Sequence, residues 1–289
     1  MKRVPSWLSV PLLFGTFAGL IWLERRRRLR REVEPKTTRV VRNLAVAGVG
    51  AAALQLTEKP IARRLSALVE RRKLGLLKLL HLPVWLETAL AVVLMDYTLY
   101  VWHVLTHKVD LLWRFHLVHH VDLDLDASTA LRFHFGELVL SAPWRAGQIL
   151  AIGVSPLALS IWQTMLFVSI LFHHSNVRLP IETERWLNRL IVTPRMHGIH
   201  HSIMREETNS NWSSGFTIWD RLHRTIYLNV PPHEIIIGVP AYRAPEDVKK
   251  LLAMPFGDQQ PTWQLRGNSE PHRKDSSERL QRSPDQLLP

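Results

Sequence analysis

Apolar runs of membrane length, separated by basic and histidine-rich stretches, set the frame of this chain. Trp7 to Leu23 is 17 residues without a charge, at the lower limit for a helix that crosses a bilayer. Arg25 to Arg31 follows, with six arginines in seven residues. Lys2 and Arg3 precede the apolar run as in a signal peptide, but no small-residue cleavage site follows. The Arg run has the form of a stop-transfer flank, so the stretch reads as a retained anchor. The positive-inside rule puts the Arg run in the cytoplasm and the N-terminus outside. A second apolar run, Asn43 to Thr57, has 15 residues and suits a tilted or partly buried helix. Its Gly48-Val-Gly-Ala-Ala-Ala53 spelling is not a dinucleotide fingerprint, because no strand precedes it. Glu58 to Leu80 alternates basic residues with Leu and reads as an interfacial amphipathic helix. On this topology it falls on the outer side, against the positive-inside rule. Leu82 to Trp102 is a further span, carrying Glu87 and Asp96. Leu138 to Phe172 is 35 residues with one charge, Arg145, and Gly153 and Pro156 break it into a helical hairpin.

The expected fold class is therefore all-α: a polytopic helical membrane protein with about four to five membrane helices and a cytoplasmic, histidine-rich helical cap. Three parts follow: an anchor with its Arg-rich flank (1–40), a membrane and catalytic domain (41–240), and a polar tail (241–289) that reads as disordered after Pro255. Asp122-Leu-Asp-Leu-Asp126 lacks the Gly and terminal Glu of an EF-hand and reads as a solvated connector.

Composition narrows the chemistry. Cysteine is absent, which excludes disulfides, thiolate nucleophiles and Cys-ligated metal within the chain. Any metal must be held by nitrogen or oxygen. The formal charge is +12, and Lys and Arg cluster beside apolar runs, which points to an anionic membrane surface and away from nucleic acid.

Eight histidines stand in three groups: His103 and His107 as H-x-x-x-H, then His116, His119 and His120, and His197, His200 and His201, each as H-x-x-H-H. On a helix, positions i, i+3 and i+4 share a face, so each group aims its imidazoles at one point. Histidine is a poor helix former, and repeated solvated or core histidines at these spacings would serve no structural end. Eight imidazoles exceed the four ligands of one tetrahedral ion, so two metals sharing the set is the natural count. Imidazole suits Zn, Cu, Fe and Ni alike. Asp96, Tyr100, His103 and His107 lie along one helical stripe, and Asp96 either orients a ligand imidazole or is a snorkelling or helix-bonded acid. Arg132-Phe-His134-Phe-Gly-Glu137 adds a histidine and an acid at i and i+3, and His173 and His174 end the second hairpin.

With Phe172-His-His-Ser-Asn176, Thr193-Pro-Arg-Met-His197 and Trp219-Asp220-Arg221 in the same order, this pattern resembles the fatty acid hydroxylase superfamily, also called the sterol desaturase family. The resemblance runs from about Asp96 to Tyr227. It implies a diiron centre that uses O2 and external electrons to attack a lipid C–H bond, by hydroxylation or desaturation, with zinc as an inactive substitute in purified material. It maps the eight family histidines onto the three groups above and adds His173 or His174. Asp96, Tyr100 and Asp220 are the candidate catalytic residues. Ser169 and Ile170 stand where some members carry another ligand, so that ligand is either absent or replaced, with His134 as the candidate replacement. The chain has no flavin or nicotinamide motif, so electrons are expected from a separate reductase or carrier. The competing readings are a membrane hydrolase using metal-bound water and a non-catalytic metal-binding protein. Ligands at span ends favour an enzyme over a transporter, whose sites lie near the bilayer midplane.

Overall fold

The computed structural model describes residues 3–264 and Pro271, and it is helical throughout, with only isolated β-bridges among the described residues. The helices are α1 (Ser6–Arg26), α2 (Lys36–Leu56), α3 (Glu58–Arg72), α4 (Leu76–Leu79), α5 (Val84–Lys108), α6 (Asp110–His120), α7 (Phe135–Ile152) and α8 (Pro156–His174). Shorter helices complete the cap: α9 (Ile181–Leu187), α10 (Pro194–His200), α11 (Arg205–Thr208), α12 (Ile218–Leu222) and α13 (Val248–Ala253). Four stretches are long and apolar enough to cross a membrane: Trp7–Arg26, Lys36–Leu79, Val84–Lys108 and Pro156–His174. Trp7, Phe14 and Trp22 on α1 and Trp85 on α5 are exposed, as suits a lipid-facing surface.

The hairpin of α7 and α8 turns where Gly153 and Pro156 predict. Gly153 ends α7 in the left-handed conformation (φ 87°). Ser155 then caps α8 by accepting from Ala158 N at 3.1 Å, with Pro156 at the first helical position. The turn is also pinned from outside. A Cβ on Gly75 (φ 93°) would lie 2.3 Å from Gly153 N, so only glycine lets the two backbones pass this closely. Met95, Ile149, Trp162 and Val69 pack the core between α3, α5, α7 and α8. Arg145, the one charge of the hairpin, pairs with Glu58 at 3.3 Å and lies over the Trp162 ring at 4.3 Å.

Three expectations change. The Glu58–Leu80 stretch is not a single interfacial helix. It breaks at Lys73 and Gly75, buries Ala62, Ser66 and Val69 against α7, and ties the buried Lys78 to Glu70 and Glu87, each at 2.6 Å. The acidic loop is no solvated connector: Asp122, Asp124 and Asp126 are buried. They surround Arg39 of α2, which pairs with Asp122 at 2.9 Å and also with Asp126. Arg132 faces Asp122 from the other side at 3.2 Å. Finally, the first part of the tail packs. Asp247 caps α13 by accepting from Lys250 N at 2.8 Å, and Leu251, Met254 and Tyr242 bury against Val46, Leu117 and Val121. These few apolar residues in a polar stretch suffice to dock it. Residues 265–289 apart from Pro271, on which the disordered reading mainly rests, lie outside the described residues.

The geometry puts α5, α6, the end of α8 and α10 at one end of the helices. Arg30, from the Arg run, is buried at that same end. Its guanidinium donates to the carbonyls of Pro194 (3.2 Å), Leu125 (3.2 Å) and Ser175 (3.4 Å). The Arg run and the histidines therefore share one end of the molecule.

Candidate metal centre

Each histidine group sits on one short piece of helix, and packing brings the pieces together. His103 and His107 end α5, His116, His119 and His120 end α6, and His174 ends α8. α10 is started by Thr193, which accepts from Met196 N, and by Pro194 at its first position, and it carries His197 and His200 with His201 as its C-cap. Two groups of imidazole nitrogens result, each with all its ligand atoms within 4.8 Å of one another: His103, His107, His116, His120 and His200, and beside them His119, His174, His197 and His201. The groups touch, with the His120 and His201 rings stacked at 4.2 Å.

Within the groups, bare ring nitrogens face each other. Nε2 of His174 lies 3.0 Å from Nε2 of both His119 and His197. Nε2 of His201 lies 3.1 Å from that of His197, and Nε2 of His120 lies 3.2 Å from that of His116. Imidazoles sharing one ion at metal–nitrogen bonds of about 2.0–2.1 Å stand about 2.9–3.4 Å apart, between right-angled and tetrahedral arrangements. Nε2 of His200 and both ring nitrogens of His107 are buried without a hydrogen-bond partner. Burial and neighbouring imidazoles hold His119, His120, His197 and His201 well below the ordinary histidine pKa. Burial takes His200 down to about 3. These rings are neutral at pH 7, with lone pairs turned inward, the state a cation requires. The residues fit two metal ions.

Four rings have their outer nitrogen fixed by a hydrogen bond, which sets the tautomer and leaves Nε2 bare. Nδ1 of His103 donates to Trp212 O (2.7 Å), that of His174 to Ile170 O (2.8 Å) and that of His200 to Ser210 O (2.8 Å). His116 Nδ1 donates to a carboxylate, Glu137 Oε1, at 2.9 Å. A cavity of about 80 Å³ beside the groups is lined by His103, His116, His119, His174, His197 and Leu166, among others.

His173 and His134 contribute no nitrogen to either group. The His173 ring packs on His197 at 4.1 Å and lines the small cavity, but His174 supplies the inward nitrogen. His134 is the N-cap of α7. Its Nδ1 accepts from Gly136 N at 2.9 Å and its Nε2 donates to Leu252 O at 3.1 Å, so neither nitrogen is free for a metal. The acid three residues on, Glu137, does reach the site. The i, i+3 spacing marked the segment, but the bend at the His134 cap aims the acid, not the imidazole, at α6.

The three expected catalytic residues also have different partners. Asp96 does not orient an imidazole; its Oδ2 accepts from Phe216 N (3.0 Å) and Trp219 Nε1 (2.7 Å). Asp220 is buried and accepts from Trp212 N (2.9 Å), Ser213 N (3.0 Å) and Thr225 Oγ1 (2.7 Å). It thereby holds the strained turn at Asn211 (φ 52°) and, through it, the Trp212 carbonyl that fixes His103. Tyr100 reaches Thr225 Oγ1 at 3.0 Å and belongs to the same support. Asp220 and Tyr100 are thus positioning residues. Nothing in the sequence marks the carbonyls of Trp212, Ser210 and Ile170 as orienting groups, since every residue has one.

Glu137 allows a direct check. Glu137→Gln keeps an acceptor for His116 but replaces the carboxylate that receives its Nδ1 with an amide. We expect metal affinity, measured by chelator competition, to fall about 10-fold to 100-fold with extraction yield unchanged. Unaltered affinity would mean that His116 holds no metal.

Fold and centre together define a polytopic helical membrane protein with a buried, doubly clustered histidine site. The fatty acid hydroxylase family model matches residues 88–225, the segment that holds every one of the site histidines, and over that segment the chain is similar to this family. It is similar to an ornithine lipid hydroxylase of Rhizobium tropici, at 30% identity over 176 residues, covering 60% of this chain and 51% of the relative. It is similar to a cholesterol 25-hydroxylase-like protein of Danio rerio, at 30% over 156 residues (50% and 56%), and to the alkylglycerol monooxygenase of Homo sapiens, at 29% over 133 residues (45% and 28%). The chain thus spans between about a quarter and just over half the length of these relatives. No solved structure matches it.

Proposed function

We propose that this protein is a membrane-bound lipid oxygenase, which hydroxylates or desaturates a C–H bond at a dinuclear iron centre with O2 as cosubstrate. The observation that carries the reading is the pair of touching imidazole groups, five and four strong, with bare inward nitrogens at one end of membrane-length helices. His103, His107, His116, His120 and His200 would hold one ion, and His119, His174, His197 and His201 the other. Iron supplies the redox chemistry there when bound, reducing O2 at the expense of external electrons and the substrate C–H bond; zinc fits the same nitrogens without that capacity. The chain's own residues do the rest. Carbonyls and Glu137 hold the ligand rings in one tautomer. Leu166, Phe133 and Ile170 around the small cavity keep water away and receive an apolar chain.

The relatives are named for ornithine lipid, cholesterol and alkylglycerol, so a lipid substrate is their common denominator. The absence of cysteine among 289 residues leaves no sulfur relay, so electrons come from a separate donor protein. We assign the centre to the cytoplasmic side, because it shares an end of the molecule with the Arg run. The division into an anchor (1–40), a catalytic domain (41–240) and a tail is kept as part of this proposal.

The test uses full-length protein expressed in membranes and purified without oxygen. We expect about two iron ions per chain, and, in cells supplied with 18O2, a lipid product that appears only with the chain and carries 18O if it is an alcohol. An alkene product would instead show O2 dependence without label. A lipid change that proceeds without O2 would reject the oxygenase and favour hydrolysis.

A further inference from the structure

Asp96 lies at a cavity that the histidine site does not use. The cavity measures about 530 Å³ and is set between α1, α5 and α8, with Gly215 and Phe216 closing one side. That is the size of a small-ligand pocket. Apolar side chains such as Leu12, Val92, Met165 and Phe172 line most of it. Leu12 and Met165 are each about half exposed on the outer face, so the cavity borders the surface that would meet acyl chains. Leu166 lines both this cavity and the small one at the histidines, so the two meet at one side chain.

The polar groups of the lining are mostly committed. Thr164 Oγ1 donates to Ser160 O (2.9 Å) and Ser169 Oγ to Ser214 O (2.7 Å). Asp96 is 6% exposed. Both hydrogen bonds it accepts go to Oδ2, and Oδ1 accepts none from the described residues. Gly215 packs against that oxygen without bonding it: a Cβ there would come within 2.3 Å of Oδ1, so only glycine fits beside it. An acid inside a membrane span, with one oxygen unpaired against apolar walls, is held at a cost unless a ligand completes it.

We propose that Asp96 anchors the polar end of the lipid substrate, with Oδ1 accepting a hydrogen bond from a hydroxyl or ammonium group on an otherwise apolar molecule that enters between α1 and α8. The proposal deepens the oxygenase reading and rests on it for the word substrate. It excludes a carboxylate or phosphate at this position, because Asp96 repels both. Asp96 precedes His103 by seven residues on α5, a rise of about 10 Å. The C–H bond offered to the centre therefore lies along the chain, about that far from the anchored donor.

The experiment is equilibrium binding of tritiated 1-hexadecanol, tritiated hexadecylamine and tritiated hexadecyl methyl ether to the full-length protein in nanodiscs. The ether matches the alcohol but has no donor. We expect the alcohol or the amine to bind about tenfold more tightly than the ether, the worth of one hydrogen bond to a charged acceptor. The tighter of the two identifies the head group. Asp96→Asn keeps a carbonyl for Phe216 and Trp219 but turns an NH2 toward the cavity, and all three probes should then bind at the ether's affinity. Equal binding in the wild-type protein, or a preference that survives in Asp96→Asn, overturns the anchor. If the variant does not insert, the wild-type comparison decides alone. Binding needs neither O2 nor electrons. A protein that prefers the donor but oxidises no lipid rejects the oxygenase and keeps the anchor; one that oxidises lipid without the preference does the reverse.

Discussion

His200→Ala is expected to remove one metal ion of about two, and all lipid oxidation, while leaving insertion intact. The reasons are local. His200 belongs to the five-membered group, its Nε2 is buried with no partner, and its ring lies 4.6 Å from His103 and 4.7 Å from His107. Alanine deletes an inward lone pair and leaves the Ser210 carbonyl without its donor. The group of His119, His174, His197 and His201 keeps all its nitrogens, so the second ion stays. Losing an outer orienting group typically lowers metal affinity about 10-fold to 100-fold, and loss of a ligand itself should exceed that. Span hydrophobicity is unchanged, so the variant should still be extracted from membranes. His197→Ala should remove the other ion with the same loss of oxidation. His233→Ala, at an exposed ring outside both groups, should change neither. Elemental analysis, extraction yield and O2-dependent product measured on the same preparations separate these outcomes. Full metal and full activity in His200→Ala would refute the ligand assignment and the oxygenase reading with it. A loss of yield with unchanged activity per folded molecule would make His200 a packing residue.

What the sequence discloses about this centre is what helical periodicity carries. H-x-x-x-H and H-x-x-H-H are statements about one face of one helix, so three groups were legible from spacing alone, as were the hairpin and its Gly153 to Pro156 turn. The choice between His173 and His174 was not. Neighbouring residues on a helix point about 100° apart, and only the packing of α8 against α6 and α10 decides which ring turns inward. His134 and Glu137 exchange the roles that spacing suggests, because a helix begins at His134 and its cap consumes the imidazole. Asp96 shares a stripe with the ligands, yet its partners, Phe216 and Trp219, lie just before and on α12, 120 and 123 residues further on. The acidic loop is the clearest case. Alternating Asp and Leu looks solvated until Arg39, 83 residues earlier in the chain, is brought into its centre.

That loop supports the second large expectation. Asp122→Asn should destabilise the protein by ~3–5 kcal/mol, as expected when one member of a buried ion network is removed and its partners are left charged. Asp122 Oδ2 accepts from Arg39 (2.9 Å), Asn43 (3.0 Å) and Thr129 (2.9 Å), and Oδ1 faces Arg132 at 3.2 Å. Burial pushes the Asp122 carboxyl up, but Arg132, Arg39 and these hydrogen bonds outweigh it and hold the group below the usual carboxylate range. A depressed folded pKa contributes stability that is fully present above the unfolded pKa and is lost as pH falls through the folded one. The gap between wild type and Asp122→Asn should therefore be constant near pH 7, begin to close below about pH 4, and shrink further as the folded group protonates. At neutral pH the variant's thermal midpoint should drop by roughly 10 °C, on the scale of a few degrees per kcal/mol. The drop should persist in chelator-treated protein, because the network joins α2 to the loop after α6 without using a metal. Lys250→Ala breaks the pair of the exposed Lys250 with Glu246 (2.7 Å) and should cost less than about 1 kcal/mol. An Asp122→Asn midpoint within the range of Lys250→Ala, or a gap that widens on acidification, would show that the acidic loop is solvated and that α2 is held by its apolar contacts alone.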